Sequence, residues 1–300
     1  MHETPPPARY TLASLRAAVR DGRPQAMLTC YDFLTAGLMR RAGVPMLLVG
    51  DSASNVIFGH ETTVPVSLEQ MIDLTAAVKR GAPQCLVIAD MPFGSVHGGV
   101  SHAMTSIVRL CKRSACDMVK IEVGPRSEGL VSHAAEAGVA VMAHLGLKPQ
   151  SIGRLGSYKA AGRTAEEADA IVSLAERMEA AGAEALLLEA VPPEVSREVV
   201  KRVKVPVIGC GAGPACHGHV VVWQDLCGLT DKTPRFVPKL PASADKASPA
   251  TPGAALEAAF AAWVKMVAER TYPQPEHEYA MQDEQLSAFE HLEAQREPRF

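Results

Sequence analysis

Short, almost purely apolar runs alternate along this chain with amphipathic segments of helical period, and that alternation leaves few folds open. Seven runs stand out: AMLTCYD (26–32), MLLVGD (46–51), CLVIAD (85–90), MVKIE (118–122), VAVMAHLGL (139–147), ALLLEAV (185–191) and VPVIGCG (205–211). An eighth, RFVPKL (235–240), is weaker. The runs are continuous rather than alternating, as in strands covered on both faces of a parallel sheet. Between them lie helical patterns such as SLEQMIDLTAAVKRGA and TAEEADAIVSLAERMEAAGA. The second opens on Thr164 and Glu167, a capping-box spacing, and both stop at glycine. The phrases RRAGVPMLLV, EAGVAVMAHL and EAAGAEALLL repeat one helix-to-strand unit. Alternation over about 240 residues predicts an α/β protein, a (β/α)8 TIM barrel. A doubly wound open sheet is the alternative, weakened because no G-x-G-x-x-G follows the first strand.

Composition narrows the class further. Hydrophobic residues make up 47% of 300 and charged residues 21%, ample for one large core. Net charge is −3 with Lys and Arg dispersed, which gives no nucleic-acid footprint. MHETPPPARY lacks the apolar stretch of a secretory leader. AALEAAFAAWVKMVAER is too short, and too charged at Glu257 and Lys265, to span a bilayer. These features predict a cytoplasmic protein with no membrane partner. Seven cysteines without a C-x-x-C pair indicate neither a zinc site nor a disulfide framework. Residues 1–281 read as one barrel domain with its first dozen residues peripheral, 241–253 (PASADKASPATPG) as a linker, and 282–300 as a polar tail, a short surface helix or disordered.

Five consecutive strands each carry an ionisable residue near the C-terminal end: Asp51, Asp90, Glu122 (with Lys120 two residues earlier), His144 and Glu189. Polar residues at single strand ends commonly just meet solvent. Five in succession converge on the barrel face where active sites form. Close carboxylates repel, and a divalent cation relieves them; all-oxygen ligands favour Mg²⁺. Lys120 and Glu122 share strand parity, and an ammonium there suits an anionic substrate. Glu189, in LLLEAVP, is read as a general base with a raised pKa, or else as a buried salt-bridge partner. His144 is a ligand, a hydrogen-bond donor or a core histidine. The glycine-rich GCGAGPACHGH (209–219) is an anion-binding loop or a set of turns with positive φ; His217 and His219 lack a third zinc ligand. The residues alone thus describe a Mg²⁺-dependent barrel enzyme that deprotonates or cleaves a carbon beside a carbonyl in a small carboxylate substrate.

Several segments carry a family resemblance: TCYDFLTA (29–36), LLVGDS (47–52), GHETTVPVSLEQM (59–71), RGAPQCLVIADMPFGS (80–95), MVKIE, MAHLGLKPQS (142–151), LLLEAVP (186–192), VPVIGCGAG (205–213) and YPQPEHEY (272–279). In this order they resemble the ketopantoate hydroxymethyltransferase family. The resemblance implies a barrel of the phosphoenolpyruvate mutase/isocitrate lyase type and a homo-oligomer, typically a decamer. It implies transfer of a hydroxymethyl group from 5,10-methylenetetrahydrofolate to 3-methyl-2-oxobutanoate, giving 2-dehydropantoate on the way to pantothenate and coenzyme A. By the same resemblance Asp51, Asp90 and Glu122 hold Mg²⁺, and Asp51, Ser52, Asp90 and Lys120 contact the substrate. Glu189 is the catalytic base, with Tyr31 and His144 in support. SVHGGVSHA (95–103), SYKAAGR (157–163) and CHGHVVVWQDL (216–226) depart from the family's usual phrases. Those departures motivate the competing reading, a related Mg²⁺-dependent aldolase or lyase acting on another 2-oxo acid without folate.

Overall fold

In the computed structural model, which describes residues 8–240 and 251–296, eight parallel strands close into one barrel. They are β1 Gln25–Thr29, β2 Met46–Val49, β3 Leu86–Asp90, β4 Met118–Glu122, β5 Val141–Gly146, β6 Ala185–Glu189, β7 Val207–Cys210 and β8 Gly218–Val221. Each pairs with the next, and β8 closes on β1 from Gln25↔Gly218 to Leu28↔Val221. Closure excludes the open doubly wound sheet.

The eighth strand is not where the sequence suggested. RFVPKL (235–240) forms no strand; buried Phe236 and Val237 account for its apolar look. The strand is GHVV, inside CHGHVVVWQDL, and only residues 211–217 join it to β7. Parallel neighbours ordinarily need a crossover of about a dozen residues or more. A search for strands spaced by helices therefore steps over this one. Glycine makes the short path feasible. At Gly218 an added Cβ would stand 2.3 Å from the Gln25 carbonyl oxygen, and Gly213 adopts φ +76° against Pro193. The two histidines here serve structure. His217 Nδ1 accepts the Val207 N–H at 3.0 Å, and His219 meets Tyr272 edge-on at 5.3 Å.

Side-chain parity sorts the barrel into inside and outside. Met27, Leu48, Ile88, Met142, Leu187 and Val220 fill the interior, and Leu15 of the helix Leu12–Arg20 joins them with no exposed surface. Burial of that leucine contributes roughly 2 kcal/mol. Tyr10, expected to be peripheral, is half-buried and bonds through its hydroxyl to Gln25 at 2.7 Å. The opposite parity, including Leu47, Val87, Ile121, Ala143 and Leu188, packs under the helices. Both faces are dry, which is why the runs are continuously apolar.

The helix Leu68–Gly81 opens on a full capping box, Ser67 with Gln70. At Thr164 only half of the expected box forms: Oγ1 accepts from Glu167 N, but the Glu167 carboxylate takes the Arg163 N–H instead. The linker reading of 241–253 falls mostly on residues outside those described; Thr251 then caps the helix Pro252–Ala268. No described helix is long and apolar enough to cross a membrane.

Within the expected polar tail, residues Asp283–Gln295 form a helix on Ala165–Ala180. Phe289 is buried beneath it, Arg202 Nη2 meets Glu293 at 2.8 Å, and Arg296 pairs with Asp169. Phe289→Ala should cost about 3 kcal/mol in denaturant unfolding. A change within about 0.5 kcal/mol would mean that the helix adds nothing to the fold.

Candidate active site

The strand parity that fills the barrel with apolar groups also sets its polar rim. Two residues beyond Met27, Ile88, Met118, Met142, Leu187 and Ile208 come Thr29, Asp90, Lys120, His144, Glu189 and Cys210. Pleating aims all six inward at the C-terminal end. They line a cavity of about 590 Å³ that also takes in Asp51, Ser52 and Tyr158.

Asp51 and Ser52 come from the turn that follows β2 rather than from the strand itself. The Asp51 backbone N–H donates to Asp90 Oδ2 at 2.9 Å, locking the first two acids together. Tyr31 OH and Ser52 Oγ share a hydrogen bond of 2.8 Å. Burial raises the Tyr31 phenol far above its ordinary range, so it remains neutral.

Lys120 is the only lysine or arginine that is buried among the described residues. Its Nζ stands 2.9 Å from Asp90 Oδ1 and 3.0 Å from His144 Nδ1. Burial opposes its charge, but Asp90, Asp51 and Glu122 outweigh that and raise its pKa. His144 is held well below its usual pKa by burial and by the Lys120 charge. A neutral ring that accepts at Nδ1 carries its proton on Nε2. Nε2 lies 3.2 Å from Glu189 Oε2, close but not aligned for a hydrogen bond. Burial lifts Glu189 to about 7, with Lys120 pulling the other way. Glu189 is thus a raised carboxyl beside a neutral imidazole, which carries no charge for a salt bridge.

Glu122 sits apart. It lines a neighbouring cavity, and its Oε1 accepts the Gln150 N–H at 3.1 Å. Gln150 Nε2 reaches across to Asp51 Oδ2 at 2.9 Å. Burial raises Glu122 to about 8 and Asp90 to about 7; Lys120 opposes both shifts, and the Asp51 charge adds to both. Among the described residues no three His, Cys, Asp or Glu side chains form a ready metal cluster. Even so, four carboxyl groups face one buried ammonium, and two of them, Asp51 and Asp90, adjoin. That donor set fits a hard dication held by one or two carboxylates, with water and substrate completing its shell.

Gln150 and Tyr158 were not singled out from the sequence. Gln150 lies inside MAHLGLKPQS, but a neutral amide in a loop carries no charge signal. Tyr158 is 48% exposed, and only its place on the cavity wall marks it.

Comparison with known proteins gives a consistent picture. The family model described as ketopantoate hydroxymethyltransferase matches residues 9–275. A Thermobifida fusca protein named 3-methyl-2-oxobutanoate hydroxymethyltransferase is 41% identical, covering 92% of this chain and 99% of its own length. One of the same name from Halorhodospira halophila is 41% identical over 89% and 94%. Among solved structures, a phosphoenolpyruvate phosphomutase from Streptomyces platensis subsp. rosaceus superposes with a TM-score of 0.56 at 17% identity, over 73% of this chain and 83% of that one. A 2,3-dimethylmalate lyase, titled a PEP mutase/isocitrate lyase superfamily member, gives 0.52 at 18%, over 73% and 83%. The likeness to these structures is one of fold.

Proposed function

The chain belongs to the ketopantoate hydroxymethyltransferase family, and on that premise we propose that it converts 3-methyl-2-oxobutanoate to 2-dehydropantoate with 5,10-methylenetetrahydrofolate as one-carbon donor. The observation that carries this reading is the contact chain Asp90–Lys120–His144–Glu189, which ends in a buried carboxyl raised to about 7.

Each residue then has a role. Ser52, oriented by Tyr31, and the Lys120 ammonium bind the anionic 2-oxo acid, with Asp51 and Asp90 beside them. The Glu189 carboxylate removes the C3 proton and becomes neutral, and the His144 ring packs beside it with Nε2 3.2 Å from Oε2. The electron pair left at C3 forms the new bond to the methylene carbon as that carbon's bond to one of the donor's two nitrogens breaks. Water then gives its oxygen to the carbon as the bond to the second nitrogen breaks, and the C3 proton and one water proton end on the two nitrogens of tetrahydrofolate. Asp51 and Asp90, with Glu122 behind them, would hold Mg²⁺, which when bound offsets negative charge developing on the oxo-acid oxygens. The low-dielectric cavity strengthens every one of these electrostatic terms.

Assay of both substrates with Mg²⁺, with and without EDTA, tests the proposal. Product should form only with metal. Turnover of another aldehyde with no folate-dependent product would favour the folate-free aldolase instead.

A pH dependence also follows. Glu189 acts as carboxylate, and its pKa is raised, so exchange of the C3 hydrogen with solvent should climb with pH up to about 7 and then level. One unit below the midpoint it should be roughly tenfold slower. A flat profile by NMR exchange from acid to neutral pH would exclude a base of this kind.

A further inference from the structure

Beside the catalytic cavity, on the same face, lies a second cavity of about 600 Å³ framed by the loops after β3, β4 and β5. Of its lining residues the mechanism above uses Glu122 alone. Glu122 and Gln150 line it, and Gln150 Nε2 also reaches Asp51 of the catalytic cavity at 2.9 Å. Val96 and Leu130 give it an apolar lining, and Phe93 lies against His97 at 4.9 Å, leaving the phenyl 46% exposed.

Two cations, Lys148 and Arg154, line this space, and among the described residues neither makes an ion pair; Glu122 is the carboxyl that lines it with them. Lys148 Nζ makes one hydrogen bond, to the Val123 carbonyl at 3.0 Å. Arg154 makes no ion pair among the described residues and is exposed. Burial weakens the Lys148 charge; Glu122 supports it, and Arg154 opposes it. An ammonium and a guanidinium that repel each other beside an aromatic platform fit a ligand with a flat ring and terminal carboxylates.

We propose that this second cavity seats the tail of the folate donor, its aminobenzoyl ring against Phe93 and His97 and its glutamate carboxylates on Lys148 and Arg154. The inference rests on the folate reading of the reaction. It places the donor's reactive end toward Gln150 and Asp51 and its charged end on Lys148 and Arg154.

The test compares wild-type enzyme with Arg154→Glu and Lys148→Met. Three quantities are read: KM for 5,10-methylenetetrahydrofolate, kcat, and C3 hydrogen exchange of 3-methyl-2-oxobutanoate without donor. Each variant should raise the donor KM about tenfold, the size of a lost charge-assisted contact, and leave kcat and exchange unchanged. Intact exchange also certifies a folded site. The methylene derivative of tetrahydropteroate, which lacks the glutamate, should show a high KM in the wild type and no further loss in Arg154→Glu. Unchanged donor KM in both variants would overturn the assignment, as would equal sensitivity of the two donors to Arg154→Glu. Wild-type enzyme that exchanges the C3 hydrogen yet transfers nothing from either donor would instead refute the folate reading itself.

Discussion

Glu189→Gln is expected to slow solvent exchange of the C3 hydrogen of 3-methyl-2-oxobutanoate by roughly 10²–10⁴-fold, the usual worth of a positioned general base. The amide keeps the size and planarity of the carboxyl but cannot take a proton. A stability control separates chemistry from misfolding. The Glu189 pKa is raised from 4.5 to about 7, so the folded protein binds more protons than the unfolded chain across that window. Wild-type stability contributed by this site therefore falls as pH rises from the lower value to the higher. The Gln variant escapes that loss and should be at least as stable as wild type at neutral pH. Deuterium incorporation followed by NMR decides the matter: exchange at the wild-type rate in a folded Glu189→Gln would remove Glu189 from the mechanism.

The second large effect is expected from the paired acids. Asp51→Asn and Asp90→Asn should each lower Mg²⁺-dependent turnover by about 10³-fold, comparable to deleting a preorganised electrostatic contact. Asparagine is the informative substitution. Alanine at position 90 would leave Lys120 buried without its nearest partner, a change that costs about 3–5 kcal/mol in stability. The amide removes the charge and keeps one oxygen of two; at position 90 that oxygen serves either Lys120 or the Asp51 N–H, and the NH2 group faces the other. Titration calorimetry with Mg²⁺ should show weakened binding in both variants. Wild-type affinity and turnover in both would sink the metal assignment.

Much of this site was legible in strand parity. Asp90, Lys120, His144 and Glu189 stand two residues past interior apolar positions, so a period of two places them on one rim. Asp51 was legible as a charge at a strand end, although the structure sets it in the turn, held by Asp90 rather than by the sheet. Glu122 obeys parity and still lines the adjacent cavity, where the Gln150 backbone N–H bonds to it. No local pattern announces a bond between residues so far apart in sequence. β8 was missed for a related reason. Its four residues include a glycine, and its flanks carry none of the helix signals that bracket the other strands. Phe236 and Val237 looked like a strand because burial against the barrel and membership of a sheet demand the same residue types.

The missing helix between β7 and β8 also shapes how the molecule is assembled in time. Outside β8, His219 meets Tyr272, and Tyr272 meets Trp263 at 4.9 Å; Trp263 Nε1–H in turn bonds to the Met27 carbonyl of β1 at 3.1 Å. The seam that joins the last strand to the first is thus covered by chain synthesised after every strand. Contacts of such sequence separation form late, once their loop-closure cost is met. On a ribosome, all eight strands would be made while the β8–β1 seam still lacked its outer cover, until residues 260–272 emerged. An uncovered apolar seam of that kind is prone to join a neighbour's.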